Sequence, residues 1–214
     1  MSSPYTITRS ELGALRRISR QEPVREHCEL CHTALSGEHA HLLQRSDRQI
    51  LCACQACAVL FSHRSENRAF LRIPRDAYAL ASFILTDADW AALRLPIDLA
   101  FFVRNSTERR VIAYYPSPAG PTESLLDFDI WNDIVRNNPV LDRIEADVEA
   151  LLINRTRGRY DYFVAPIDQC YKLTGLIRSH WRGFAGGDDV WREIAAFFER
   201  LRGQAPDGRE ASHA

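Results

Sequence analysis

Two C-x2-C pairs, CELC ending at Cys31 and CQAC starting at Cys54, constrain this chain more than any other feature; 22 residues separate them. A two-residue gap lets both thiolates of a tight turn face a single ion at about 2.3 Å from each sulfur, and two such turns on a folded-back segment complete a tetrahedron. The intervening segment holds Gly37 and the turn RSDR (45–48), flanked by AHLLQ (40–44) and QILC (49–52). It predicts a β-hairpin between two knuckles, the layout of a zinc ribbon or a treble clef. Five of the six cysteines fall within 30 residues, a density that reduced thiols used as small apolar side chains do not explain.

The region offers five thiols, and a tetrahedral site takes four. Cys54 and Cys57 repeat the spacing of Cys28 and Cys31, so the expected metal ligands are Cys28, Cys31, Cys54 and Cys57. Strand alternation would put Cys52 on the same face as Cys54, as an alternate ligand, a group just behind the ligands, or a reactive thiol. His27, His32, His39 and His41 read as surface histidines, with a mixed Cys-and-His site as the alternative, since imidazole also suits zinc. Four thiolates leave no open position, which marks a structural rather than a catalytic site. Zinc is the expected ion, with iron in a rubredoxin-like site as the alternative, because the ligand set is the same.

The chain has 214 residues, 46% hydrophobic and 26% charged, with a net charge of −1. That is enough for one domain, or a small module joined to a larger one, and the charge gives no global attraction to nucleic acid or an acidic membrane. The first 21 residues lack the apolar core of a secretory signal, and no apolar run approaches a bilayer span. The expected location is the cytoplasm, where clustered cysteines favour metal or redox work over disulfides.

Four regions follow. Residues 1–24 are an N-terminal arm with a short helix over about 9–19. Residues 25–66 form the four-cysteine metal-binding module, 67–203 an α+β domain, and 204–214 a disordered tail. Within the domain, FLRIP (70–74) reads as a strand, and TDADWAALRL (86–95) as a helix capped by Thr86 or Asp87. DLAFFVRN (98–105) and RRVIAYYP (109–116) read as a hairpin, and SPAGPTES (117–124) as a loop. FDIWNDIVRNN (128–138) reads as a helix stopped by Pro139. VEALLINR (148–155) and RYDYFVAP (159–166) make a second hairpin, with Gly158 at positive φ. Asp168 is the expected cap of the helix QCYKLTGLIRSHW, and DDVWREIAAFFERLRG (188–203) is the clearest helix, with Gly203 following it. The fold class is α+β: a mostly antiparallel sheet with the C-terminal helices packed on one face, and a zinc-ribbon or treble-clef-like knuckle module at its front.

Other chemistries find less support. Arg45, Arg48, Arg64, Arg68, Arg72 and Arg75 could form a basic patch for a zinc-ribbon regulator of nucleic acid, but acidic residues interleave. A His-Asn-His nuclease needs a histidine just after the second knuckle, where this chain has Ala58. Asp188 and Asp189 would repel a phosphate at the glycine-rich entry RGFAGGDDVW (182–191). Cys170 reads as a buried structural thiol, and Trp131, Trp181 and Trp191 as core. No catalytic constellation is evident, so a non-enzyme is expected.

CELC with LLQ and LCACQACAVLF, then YFVAPIDQCYKLTGLIRSHWRGFAGGDDVWREIAAFFERL, resembles a bacterial family of unknown function encoded beside uptake-type NiFe hydrogenases. The resemblance spans roughly residues 25–202. It implies an accessory role in assembly, maturation or electron delivery, with a hydrogenase subunit or maturation factor as protein partner. It carries no catalytic residue over; its metal motif falls on Cys28, Cys31, Cys54 and Cys57.

Overall fold

The computed structural model describes residues 26–62, 69–183 and 186–204. The expected arm helix lies outside these residues, as does the tail beyond Gln204.

The predicted hairpin forms. Strands β1 (Ala40–Gln44) and β2 (Ile50–Ala53) pair antiparallel, with His41 opposite Cys52 and Leu43 opposite Ile50. The RSDR turn closes through Arg48 at φ 61. The chain leaves β2 into helix α1 (Gln55–Phe61). Strand β3 (Phe70–Arg72) then returns to pair with the other edge of β1, giving the order β2-β1-β3.

A six-stranded antiparallel sheet follows, ordered β4-β9-β8-β5-β6-β7. It comprises β4 (Tyr78–Ala79), β5 (Leu99–Asn105), β6 (Arg110–Ser117), β7 (Gly120–Ser124), β8 (Glu149–Asn154) and β9 (Asp161–Pro166). Both predicted hairpins are present, β5–β6 and β8–β9. The segment 117–124 is not a plain loop. Gly120, at φ 121, turns the chain back, and Gly120–Ser124 pairs with β6. Pro121 is tolerated because β7 is an edge strand.

Helices cover both faces of this sheet rather than one. On one face, helices α4 (Ile167–His180) and α5 (Gly187–Gln204) bury Leu173, Ile177, Ile194 and Phe198 against Leu99, Phe101, Val103 and Leu152. On the other, helices α2 (Asp87–Ala92) and α3 (Phe128–Asn137) bury Trp90, Trp131 and Ile134 against Ala100, Phe102, Leu151 and Ile153. Central strand β5 is therefore apolar throughout its first five residues. Phe101 and Phe102, 0% and 2% exposed, point to opposite cores, and each burial contributes about 2–3 kcal/mol. Phe102 stacks on Trp131 at 5.0 Å between ring centroids.

Thr86 caps α2 in a reciprocal box with Asp89, and α3 ends at Asn137, just ahead of Pro139. Two expected helix ends differ. Asp168 does not cap α4, whose preceding residue Pro166 makes no capping bond; its carboxylate reaches His41 instead. Gly203 lies inside α5, which continues to Gln204.

The two sheets share a core. Along β1, Ala40 and Leu42 face the knuckle cluster with Ala53 and Ala58. Leu43 faces the opposite way, into the main core with Ile73 and Ala77. Arg48 in the β1–β2 turn donates to Asp147 Oδ1 at 2.8 Å, tying the hairpin to the larger sheet.

Candidate metal centre

The first knuckle is a tight turn closed by its own backbone. Cys28 N–H donates to Thr33 O at 2.8 Å, and His32 N–H to Cys28 O at 2.7 Å, with His32 at φ 61. An isolated bridge pairs His27 with Ala34. The second knuckle is a helix start. Cys54 takes the N-cap position of α1, and its Sγ accepts from the Cys57 N–H at 3.4 Å. Glu29 N–H donates to Cys52 O at 2.9 Å, locking one knuckle against the other.

These turns bring together the four cysteines expected as ligands. The Sγ atoms of Cys28, Cys31, Cys54 and Cys57 all lie within 4.8 Å of one another. Cys31 and Cys54 Sγ are 3.7 Å apart, close to the edge of about 3.8 Å of a tetrahedron with metal–sulfur bonds of about 2.3 Å. Cys28 and Cys57 are buried, Cys54 is half-buried and Cys31 is exposed. The donor set and spacing fit a tetrahedral metal ion.

Electrostatics point the same way. Burial opposes ionisation of Cys28, but N–H groups of Cys54, Cys31 and Leu30 outweigh it and draw the thiol down to about 6. The Thr33 hydroxyl, 3.4 Å from Cys31 Sγ, and the Thr33 N–H lower Cys31. Cys57 is pushed up to about 12, by burial and then by the thiols around it. Four clustered thiols therefore do not ionise together on their own. A cation among them removes that conflict, which is how a metal couples to the thiolate state.

Cys52 does not share the face of Cys54. The chain leaves the strand after Ala53, so Cys54 swings into the helix cap while Cys52 stays on the ladder opposite His41. Burial, then the carboxylates of Glu29 and Glu26, raise the Cys52 thiol, against the reactive-thiol reading. The histidines divide. His27 and His32 are exposed as expected, but the His39 side chain is only 8% exposed and that of His41 31%. The His41–Asp168 hydrogen bond, 2.6 Å across 127 positions, carries no local sequence signal.

Of the six arginines that could have formed a basic patch, Arg48 is committed to Asp147, and Arg64 and Arg68 lie outside the described residues. Cys170 is fully buried, and burial raises its thiol. Trp131 is core, and Trp181 and Trp191, half-buried, pack against the main core and also line an apolar cleft of ≈ 250 Å³ beside Pro116, Ile177 and Ile194. No described helix is long and apolar enough to cross a membrane.

A model of a family of unknown function (DUF5947) matches residues 27–205. Comparisons with curated proteins and with solved structures returned no match.

Proposed function

Because the chain belongs to the DUF5947 family, whose function is unknown, membership carries no activity with it, and we propose from the site itself a metal-stabilised, non-enzymatic accessory protein of the cytoplasm. The observation that carries this reading is the closed group of four sulfurs within 4.8 Å. Four thiolates saturate a tetrahedral ion and leave no position for substrate. Zinc suits the site as a redox-inert structural ion. The second cysteine pair sits at the start of a helix after a hairpin, which supports a treble clef rather than a ribbon.

A protein partner is supported by the surface beside the knuckle. Val59, Leu60 and Phe61 of α1 are 49%, 69% and 45% exposed, an apolar run of the kind that marks interaction sites. The resemblance to a family encoded beside hydrogenase genes supplies the partner class, a NiFe hydrogenase subunit or maturation factor. Metal analysis of untagged protein purified without oxygen tests the site: zinc is expected, and Cys28→Ser and Cys31→Ser should each lose the ion held by the four cysteines. Co-purification with hydrogenase subunits, lost in Leu60→Asp with zinc retained, tests the partner. A deletion strain with normal hydrogenase activity would refute it.

Iron in the same four thiolates is the second reading, favoured by the exposure of Cys31, which gives an electron a route to the surface. Thiolate-to-iron absorption that bleaches on reduction would replace the zinc reading with this one.

A further inference from the structure

The fifth clustered thiol has neighbours of its own. Cys52 lies directly opposite His41 on the β1–β2 ladder, and His39, two residues before His41, shares its face. One ligand atom from each of the three falls within 4.8 Å of the other two. The two imidazole rings stand perpendicular, 4.9 Å apart.

Hydrogen bonds fix which ring nitrogens are free. His39 Nδ1 is 3.1 Å from the Ser36 carbonyl oxygen. A carbonyl only accepts, so Nδ1 carries a proton, and in the neutral ring Nε2 keeps a bare lone pair. That Nε2 is buried and has no hydrogen-bond partner, on a side chain 8% exposed. His41 Nδ1 donates to Asp168 Oδ2 at 2.6 Å, which in the neutral ring leaves Nε2 bare as well. A buried polar atom without a partner calls for a physical reason. A histidine that donates its second nitrogen to a carboxylate is the usual support of a metal ligand. Two imidazoles and a thiolate are a donor set for a borderline divalent ion.

We propose that His39, His41 and Cys52 form a second metal site, holding a zinc-class divalent ion through both histidine Nε2 atoms and the Cys52 thiolate, with Asp168 as the positioning residue. Binding releases the Cys52 thiol proton to solvent. Three protein ligands leave the fourth position to water or an exchangeable ligand, so this site differs in kind from the closed four-thiolate group. It sits where the knuckle sheet meets α4, and Asp168 makes it a bridge between the two. Cys52, His41 and Asp168 also stand in the order of a nucleophile, its base and an orienting acid. That alternative gives the buried His39 nitrogen no task.

The test is zinc content of the full chain after saturation and removal of free ion. Wild type should hold two ions. Cys52→Ser and His39→Gln should each hold one, the remaining ion showing that the knuckle fold and the four-thiolate site survive. Asp168→Asn should keep two ions at saturation but release one to a competing chelator about 10–100-fold more readily than wild type. A wild type that saturates at one ion, unchanged in Cys52→Ser, overturns the proposal and leaves the four-thiolate site standing. One ion that Cys52→Ser abolishes overturns it too, by making Cys52 a ligand of the single centre. Wild type with one ion, and a Cys52 that iodoacetamide alkylates faster than a free thiol, overturns it in favour of the nucleophile.

Discussion

Arg48 and Asp147 are 99 positions apart, yet their 2.8 Å bond ties the knuckle hairpin to the main sheet. The Asp147 side chain is 4% exposed and also accepts from the Ser106 N–H and hydroxyl. Burial opposes its ionisation, but Ser106 and Arg48 outweigh burial and hold its carboxyl below the ordinary range. A carboxyl depressed by folding stabilises the fold above its unfolded value, near pH 4, and loses that contribution as pH falls through the folded value. Urea denaturation should therefore show stability falling below about pH 4, with a shallower fall in Asp147→Asn. Arg48→Ala strands a buried carboxylate and should cost about 3 kcal/mol at neutral pH in the same measurement. Gly186 is a second sensitive residue. It sits at φ 84, and an added Cβ would meet Val190 Cγ1 at 2.8 Å. Gly186→Ala should cost about 2–3 kcal/mol, read as a lower denaturation midpoint with an unchanged slope.

At the scale of elements, what was local in the sequence was legible. The two C-x2-C turns, the hairpin between them, both hairpins of the larger sheet and the Thr86 cap each depend on residues a few positions apart. Thr86 Oγ1 accepts from the Asp89 N–H at 3.1 Å, and Asp89 Oδ2 from the Thr86 N–H at 2.9 Å. Thr86→Ala should cost about 1 kcal/mol, seen as a lower melting temperature, and should move no metal. Edge strand β7 was hidden because Pro121 and Gly120 are loop signals, and only position at the sheet's edge makes them tolerable. The direction of Cys52 was hidden by one event, the chain's departure from the ladder after Ala53. Asp168 has the sequence context of a cap, and only the folded chain shows that His41 lies within its reach. That helices cover both faces was encoded in β5 itself, whose unbroken apolar run FFV follows LA without the alternation of a half-exposed strand.

At the scale of the whole molecule, the knuckle sheet and the larger sheet are not independent bodies. The four-cysteine cluster packs on one side of β1, and the main core packs on the other through Leu43. Metal removal by a chelator under reducing conditions should therefore lower the one melting transition of the whole chain, rather than split off a separate early one. Calorimetry before and after chelation checks this, and two resolved endotherms would show the sheets to melt apart. The shared strand also limits how this architecture can be borrowed. Residues 26–62 transplanted onto another protein would arrive with Leu43 and Ile50 as bare oily surface, having left their seat against Ile73 and Leu71 behind. A free-standing version would have to be re-surfaced at those positions before it stayed in solution.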